Sequence, residues 1–178
     1  MPHPDVARLC LLLPPPVSGG DAVNWEAVQH ETLLEFPADY RDFVESYGGG
    51  EIDEYLSVST PPVPGSPYGD LLDRLDPALS DRDRQELGVH LPQGDLPQLL
   101  PFADSASSDV AFWLCEGAPD DWQVAVFRRQ TLHGVNRWTV FNGGMASFCA
   151  AVLTGEANPF SERIEADDRH VFLNWRGL

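Results

Sequence analysis

At 178 residues the chain suits one domain with a proper hydrophobic core, and its five Trp, nine Phe and four Tyr argue against a disordered acidic tail. Eleven basic residues face 28 acidic ones, for a formal charge of −17, which disfavours direct contact with a phosphate backbone or an anionic membrane. Every basic residue is Arg, so P-loop, Schiff-base and kinase-type lysine chemistry is excluded.

The first predicted element is a short helix opened by Asp5 and carrying Val6, Leu9, Leu12 and Leu13, which Pro14 to Pro16 stop. Its apolar run is too short for a signal peptide or a membrane span, and no basic start precedes it. Ser18-Gly19-Gly20 reads as a flexible joint. Asp21 or Asn24 then starts a helix that buries Trp25 and Val28. Pro37 suits a first helical position, and Tyr40, Phe43, Val44 and Tyr47 follow at the spacing of one helix face. Gly48-Gly49-Gly50 ends that helix.

Ile52 to Val58 reads as one strand, with Glu51 and Asp53 on a shared face. From Tyr68 the pattern turns helical through Leu71, Leu72 and Leu75. Leu79 to Leu96 reads as a short helix and a loop, and Gln98 to Phe102 as a short strand. Val110 to Cys115 and Trp138 to Phe141 are apolar strands, and Trp122 to Phe127 is a largely buried one. Met145, Phe148, Cys149 and Val152 repeat at helical spacing, and Gly155 closes that helix. Arg169 to Trp175 is left open between a strand and an appended helix. Strand connections in the second half are too short for parallel crossovers. The predicted fold is therefore a single α+β domain, a mostly antiparallel sheet with helices packed on one face.

The residues from Trp25 through Phe36-Pro37-Ala38-Asp39-Tyr40 and Phe43 to Tyr47-Gly48-Gly49-Gly50-Glu51-Ile52 resemble the N-terminal signature of the SUKH superfamily, the Smi/Knr-type domains. Leu99 to Asp104, Asp121-Trp122 and Phe148 to Gly155 resemble its later segments. The resemblance covers about residues 5–160. Phe36 replaces the usual Leu, Ser108-Asp109 stands where Gly-Asp is common, and 161–178 form an extension that matches nothing. Membership implies an α+β domain without a catalytic centre. In bacteria it implies a cytoplasmic immunity protein that binds and neutralises a cognate toxin, such as a nuclease.

No nucleophile–base constellation, His-rich metal spacing or cofactor motif occurs in the sequence. Cys10, Cys115 and Cys149 are expected as buried free thiols, as in a reducing cytosol. The candidate partner-binding residues are carboxylates with one aromatic: Glu51, Asp53, Glu54, Tyr55, Asp104, Asp109, Asp120 and Asp121. Clustered carboxylates would speed encounter with the basic groove of a nucleic-acid-cleaving toxin. Turn chemistry alone also accounts for Asp and Ser at 104–109 and 120–121. An acid-rich proteome would account for the charge. Tyr47, Tyr55, Tyr68 and Trp113 would serve as aromatic anchors where exposed. Two other functions stay open: a regulatory or scaffolding domain for an endogenous protein, and a metal-dependent hydrolase using Asp104, Asp109 and His133.

Overall fold

Tyr40, Phe43, Val44 and Tyr47 are all inaccessible to solvent, so the helix face read from their spacing is the face that packs inward. The computed structural model describes residues 1–63, 71–74, 79–92, 94–132, 134–165 and 169–176. Its helices are α1 (Pro4–Leu12), α2 (Trp25–Thr32), α3 (Ala38–Tyr47), α4 (Asp81–Gly88) and α5 (Met145–Leu153). Its strands are β1 (Gly50–Ile52), β2 (Leu56–Val58), β3 (Gln98–Ser105), β4 (Val110–Cys115), β5 (Gln123–Phe127), β6 (Trp138–Phe141) and β7 (Phe172–Asn174). They form one antiparallel sheet in the order β6-β5-β4-β3-β2-β1-β7. Among the described residues no helix is long and apolar enough to cross a membrane.

Gly48, at φ 74°, stops α3 with its N–H on the Val44 carbonyl at 2.9 Å, and the chain turns directly into β1. The single strand expected over Ile52 to Val58 is instead the tight hairpin β1–β2. Tyr55 N–H donates to the Ile52 carbonyl at 3.0 Å, and Asp53 and Glu54 both hold positive φ, 52° and 53°. This is the pattern of a primed hairpin turn, which suits the strand twist. Asp53 therefore lies in the turn and does not share a strand face with Glu51. Ser108, in the place of the expected Gly, takes φ 64° and closes the β3–β4 turn with its N–H on the Ser105 carbonyl at 2.8 Å.

The helices do not all pack on one face. Leu100, Phe102, Trp113, Val124 and Val126 face α1, α2, α3 and α5, whereas Leu99, Phe112, Leu114, Phe127 and Trp138 form a second cluster with Leu87 of α4. β4 is apolar on both sides, and a strand of that kind needs cover on both. The polar α4 supplies it with one leucine and a set of polar ties. Trp138 Nε1 donates to the Asp83 carbonyl at 2.9 Å, and the Arg137 guanidinium bridges Asp83 and Glu86. Burial raises the Asp83 carboxyl, but hydrogen bonds from Ser80 and the Arg137 charge outweigh it and hold the group below its ordinary value.

Helix starts are satisfied across the fold. Pro37 gives α3 no side-chain cap, and Asp120 Oδ1 accepts the Ala38 N–H at 2.7 Å. Gly144 gives α5 none, and Asp39 Oδ2 accepts the Ala146 N–H at 2.9 Å. α1 is capped by His3, whose ring accepts from the Asp5 N–H, so Asp5 lies in the first turn. Asn24 caps α2, and Asp21 is buried elsewhere, where its Oδ2 accepts the Gly49 N–H at 2.8 Å and its Oδ1 pairs with Arg176.

Burial raises the Asp39 carboxyl above its ordinary 3.8 despite the Ala146 N–H. The native state then binds that proton more tightly than the unfolded chain does. The group's contribution to stability is full below 3.8 and is lost as pH rises through the raised value. Urea unfolding of wild type and Asp39→Asn between pH 4 and 7 should show the wild type gaining on the variant as the pH falls. A constant difference would show that the carboxyl does not titrate differently in the fold.

The extension after residue 160 adds one strand to the sheet. Arg169 to Trp175, left open above, contains the edge strand β7, and Phe172 packs on Phe43 and Tyr47. The short 3-10 turn Leu72–Arg74 is the described part of the segment expected to be helical from Tyr68. Tyr68 and Leu75 lie outside the described residues.

Candidate functional site

Strand register decides which of the candidate carboxylates meet. Directly paired residues share a face, and one row runs Leu173, Glu51, Ser57, Asp104, Val110, Phe127, Trp138 across the whole sheet. α4 packs over the Phe127–Trp138 end of that row. Towards β7 the row stays half-exposed at Glu51, Ser57 and Asp104. Glu51 and Asp104 are thus two strand spacings apart on one outer face, roughly 10 Å. The tip of the β1–β2 hairpin, with exposed Glu54, borders the same region.

The other candidates hold the fold together. Asp109 is inaccessible to solvent; its Oδ1 accepts from Arg129 N–H at 3.1 Å and Ser161 Oγ–H at 3.0 Å, and its Oδ2 from Ser161 N–H at 2.6 Å. Asp53 accepts the Val171 N–H at 2.8 Å and faces His170 Nδ1 at 2.7 Å, while the far ring nitrogen of His170 lies 3.2 Å from the Leu153 carbonyl. Half-buried Tyr55 donates its hydroxyl to the Glu162 carbonyl at 3.1 Å and packs edge-on against Phe160. Three residues expected to dock a partner therefore clamp residues 160–162 and 170–171 against the end of the sheet. Asp120 caps α3, and exposed Asp121 follows it in the β4–β5 connection. In an antiparallel meander that connection is at the opposite end of the sheet from the β1–β2 and β3–β4 turns. The eight candidates do not form one surface.

The described residues on either side, 163–165 and 169–173, bring something else to that end. A groove of about 540 Å³ lies beside the hairpin, lined by Asp53, Glu54, Tyr55, Ile164, Val171 and Leu173. Val171 is 65% exposed and Leu173 43%. Sequence reading missed both because the extension resembles no known segment; the short apolar run Val171-Phe172-Leu173 was the available signal. A second cleft of about 680 Å³, between α4 and the β5–β6 connection, contains the Arg137 ion pairs and exposed Val89 and Leu132.

The aromatic anchors sort by burial. Tyr47 and Trp113 are fully buried, and Tyr47 Oη–H donates to the Leu13 carbonyl at 2.5 Å. Tyr68 lies outside the described residues. Cys149 is buried, but Cys10 and Cys115 are only partly so. Burial pushes the Cys115 thiol up to about 12, and burial and the Asp39 charge do the same for Cys149, so neither is a ready nucleophile. For the hydrolase reading, both Asp109 oxygens are taken up by Arg129 and Ser161, and His133 lies outside the described residues. Among the described residues no group of three or more His, Cys, Asp or Glu side chains is placed to hold a metal ion. In comparisons with models of protein families, with curated proteins and with solved structures, nothing matches this chain.

Proposed function

We propose that this chain is a cytoplasmic, non-catalytic immunity protein of the SUKH type, which neutralises a toxin by binding it through the hairpin tip and the half-exposed outer face of β1 to β3. The observation that carries the reading is Glu54. It is exposed, its φ is 53°, and among the described residues its carboxylate has no partner. A left-handed backbone costs a non-Gly residue roughly 1–2 kcal/mol. Strain of this kind at an exposed acidic tip is what a docking residue would retain. Glu51 and Asp104 extend the negative surface across the sheet. The family resemblance supplies the toxin as partner; the −17 charge suits a basic one.

Two results test the reading. Glu54→Gly removes the strain but loosens the unfolded chain by roughly 0.5–1 kcal/mol, so the fold should gain about 0.5–1 kcal/mol net while partner capture weakens. The paired reversal Glu51→Lys with Glu54→Lys should slow association at least tenfold at low salt, less at high salt, with thermal stability almost unchanged. Co-expression with candidate nuclease toxins reads the function itself. Rescue from none of them would sink the toxin reading and leave an endogenous basic protein as the partner class.

A further inference from the structure

The two edges of the sheet are finished differently. Arg128 N–H donates to the Arg137 carbonyl, so in antiparallel alternation the backbone groups of Trp138 point outward from β6. Both are covered by one side chain. Asn136 Oδ1 accepts the Trp138 N–H at 2.9 Å, and Asn136 Nδ2 donates to the Trp138 carbonyl at 2.8 Å. The amide stands in for a neighbouring strand at Trp138, a usual protection of sheet edges, and among the described residues of β6 it leaves only the outward groups of Val140 uncovered.

On β7 the comparable amide, that of Asn174, covers only the Arg176 N–H just past the strand, at 2.6 Å, and leaves the strand's own edge open. Asp53 N–H donates to the Val171 carbonyl and Trp175 N–H to the Gly49 carbonyl, both across the β1–β7 seam. Alternation then turns Leu173 toward β1 and the N–H and C=O of Phe172 and Asn174 outward. Among the described residues nothing pairs with those four groups. Val171 and Leu173 project on the outer face beside them, into the 540 Å³ groove that Tyr55 and Ile164 line together with five charged residues. An open edge beside a groove is the arrangement that takes an added strand: backbone ladder bonds supply affinity, and the groove reads the side chains that face it.

We infer that the open edge of β7 receives an extended segment of the partner, alternating aliphatic with Lys or Arg side chains, as an eighth strand of the sheet. The inference rests on the reading of this chain as a protein that captures another. Charge chooses the occupant. Asp53, Glu54 and Glu165 outnumber Arg163 and Arg169 around the groove, and Glu51 is directly beside Leu173 in register. A second copy would bring another −17 to the same edge, so a basic segment is favoured over self-pairing. The strand is short, so the ladder spans few residues and the groove must supply selectivity.

The test uses the full chain and an eight-residue peptide, acetyl-Lys-Val-Arg-Val-Lys-Val-Arg-Val-amide, followed by amide exchange and nuclear magnetic resonance. Saturable binding should slow exchange at Phe172 and Asn174 at least tenfold and leave the β6 amides unchanged. N-methylation of alternate peptide amides, which keeps charge and side chains but breaks the ladder, should weaken binding at least tenfold. Val171→Lys, at a site 65% exposed, should do the same without loss of fold. No binding, binding indifferent to N-methylation, or protection on β6 would each overturn the inference. So would a dimer in sedimentation that Val171→Lys dissolves, since the edge would then belong to a second copy. Peptide pairing without rescue from any toxin leaves the edge standing and removes the toxin; rescue by a Val171→Lys chain does the reverse.

Discussion

Asp109→Ala is expected to destabilise the protein by about 3–5 kcal/mol, because it strips the partner from two backbone N–H groups beside the β3–β4 turn and leaves a cavity where a buried, fully bonded carboxylate stood. The carboxylate is inaccessible to solvent and accepts from Arg129 N–H, Ser161 N–H and Ser161 Oγ–H. Each half-buried donor left without the carboxylate costs roughly 1–3 kcal/mol, and the lost tie also frees Ser161, at the start of the extension. For a chain of this size the loss corresponds to a fall in Tm of roughly 10 °C. Calorimetry and urea unfolding check the magnitude. Amide exchange at Ser161 and Val171 checks the mechanism, since both should lose protection together. Exposed Asp121, mutated to Ala as the control, should change stability by less than about 0.5 kcal/mol. If Asp109→Ala instead left the fold intact and slowed only partner capture, the carboxylate would be a docking residue after all.

Gly20→Ala should cost about 3 kcal/mol or more, and Gly19→Ala only about 1 kcal/mol. The pair looks like a joint in the sequence, yet the two glycines do different things. Gly19 has φ 74° with open space around it, so a methyl group there meets only backbone strain. Gly20 lies against the end of α3. Its N–H donates to the Glu45 carbonyl at 3.0 Å, and a Cβ would fall 2.2 Å from the Val44 carbonyl oxygen and 2.5 Å from Gly48 N. Those are backbone atoms of the helix stop and cannot rotate aside. The strain would pass to Asp21, whose carboxylate holds Gly49 N–H and Arg176. Equal Tm values for the two variants would restore the joint.

Those glycines illustrate why local pattern reads some features and not others. Helical spacing at 40, 43, 44 and 47, and the apolar runs at 110–115 and 138–141, report burial of the residue itself, and burial is written in side-chain type. The helix stop at Gly48 was legible for the same reason, since positive φ selects its residue. The β1–β2 turn was not, because Asp53 and Glu54 hold left-handed backbone that Gly or Asn would ordinarily signal. α4 was expected with its fellows on one face because its polar sequence gives no direction. A single leucine and the ties from Arg137 and Trp138 place it on the other.

The candidate site divides along the same line. Acidity, the absence of lysine and the carboxylates themselves are properties of composition, and the sequence alone determined them, together with an α+β antiparallel fold. What each carboxylate does was decided only by tertiary structure, because an Asp in a turn looks the same whether it faces water or a backbone N–H from 52 residues away, as Asp109 does at Ser161. Strand register, a long-range property, put Glu51 and Asp104 on one face and sent Asp120 and Asp121 to the other end. The edge at β7 exists only because a segment with no recognisable pattern returns to pair with β1, and no local propensity encodes that return.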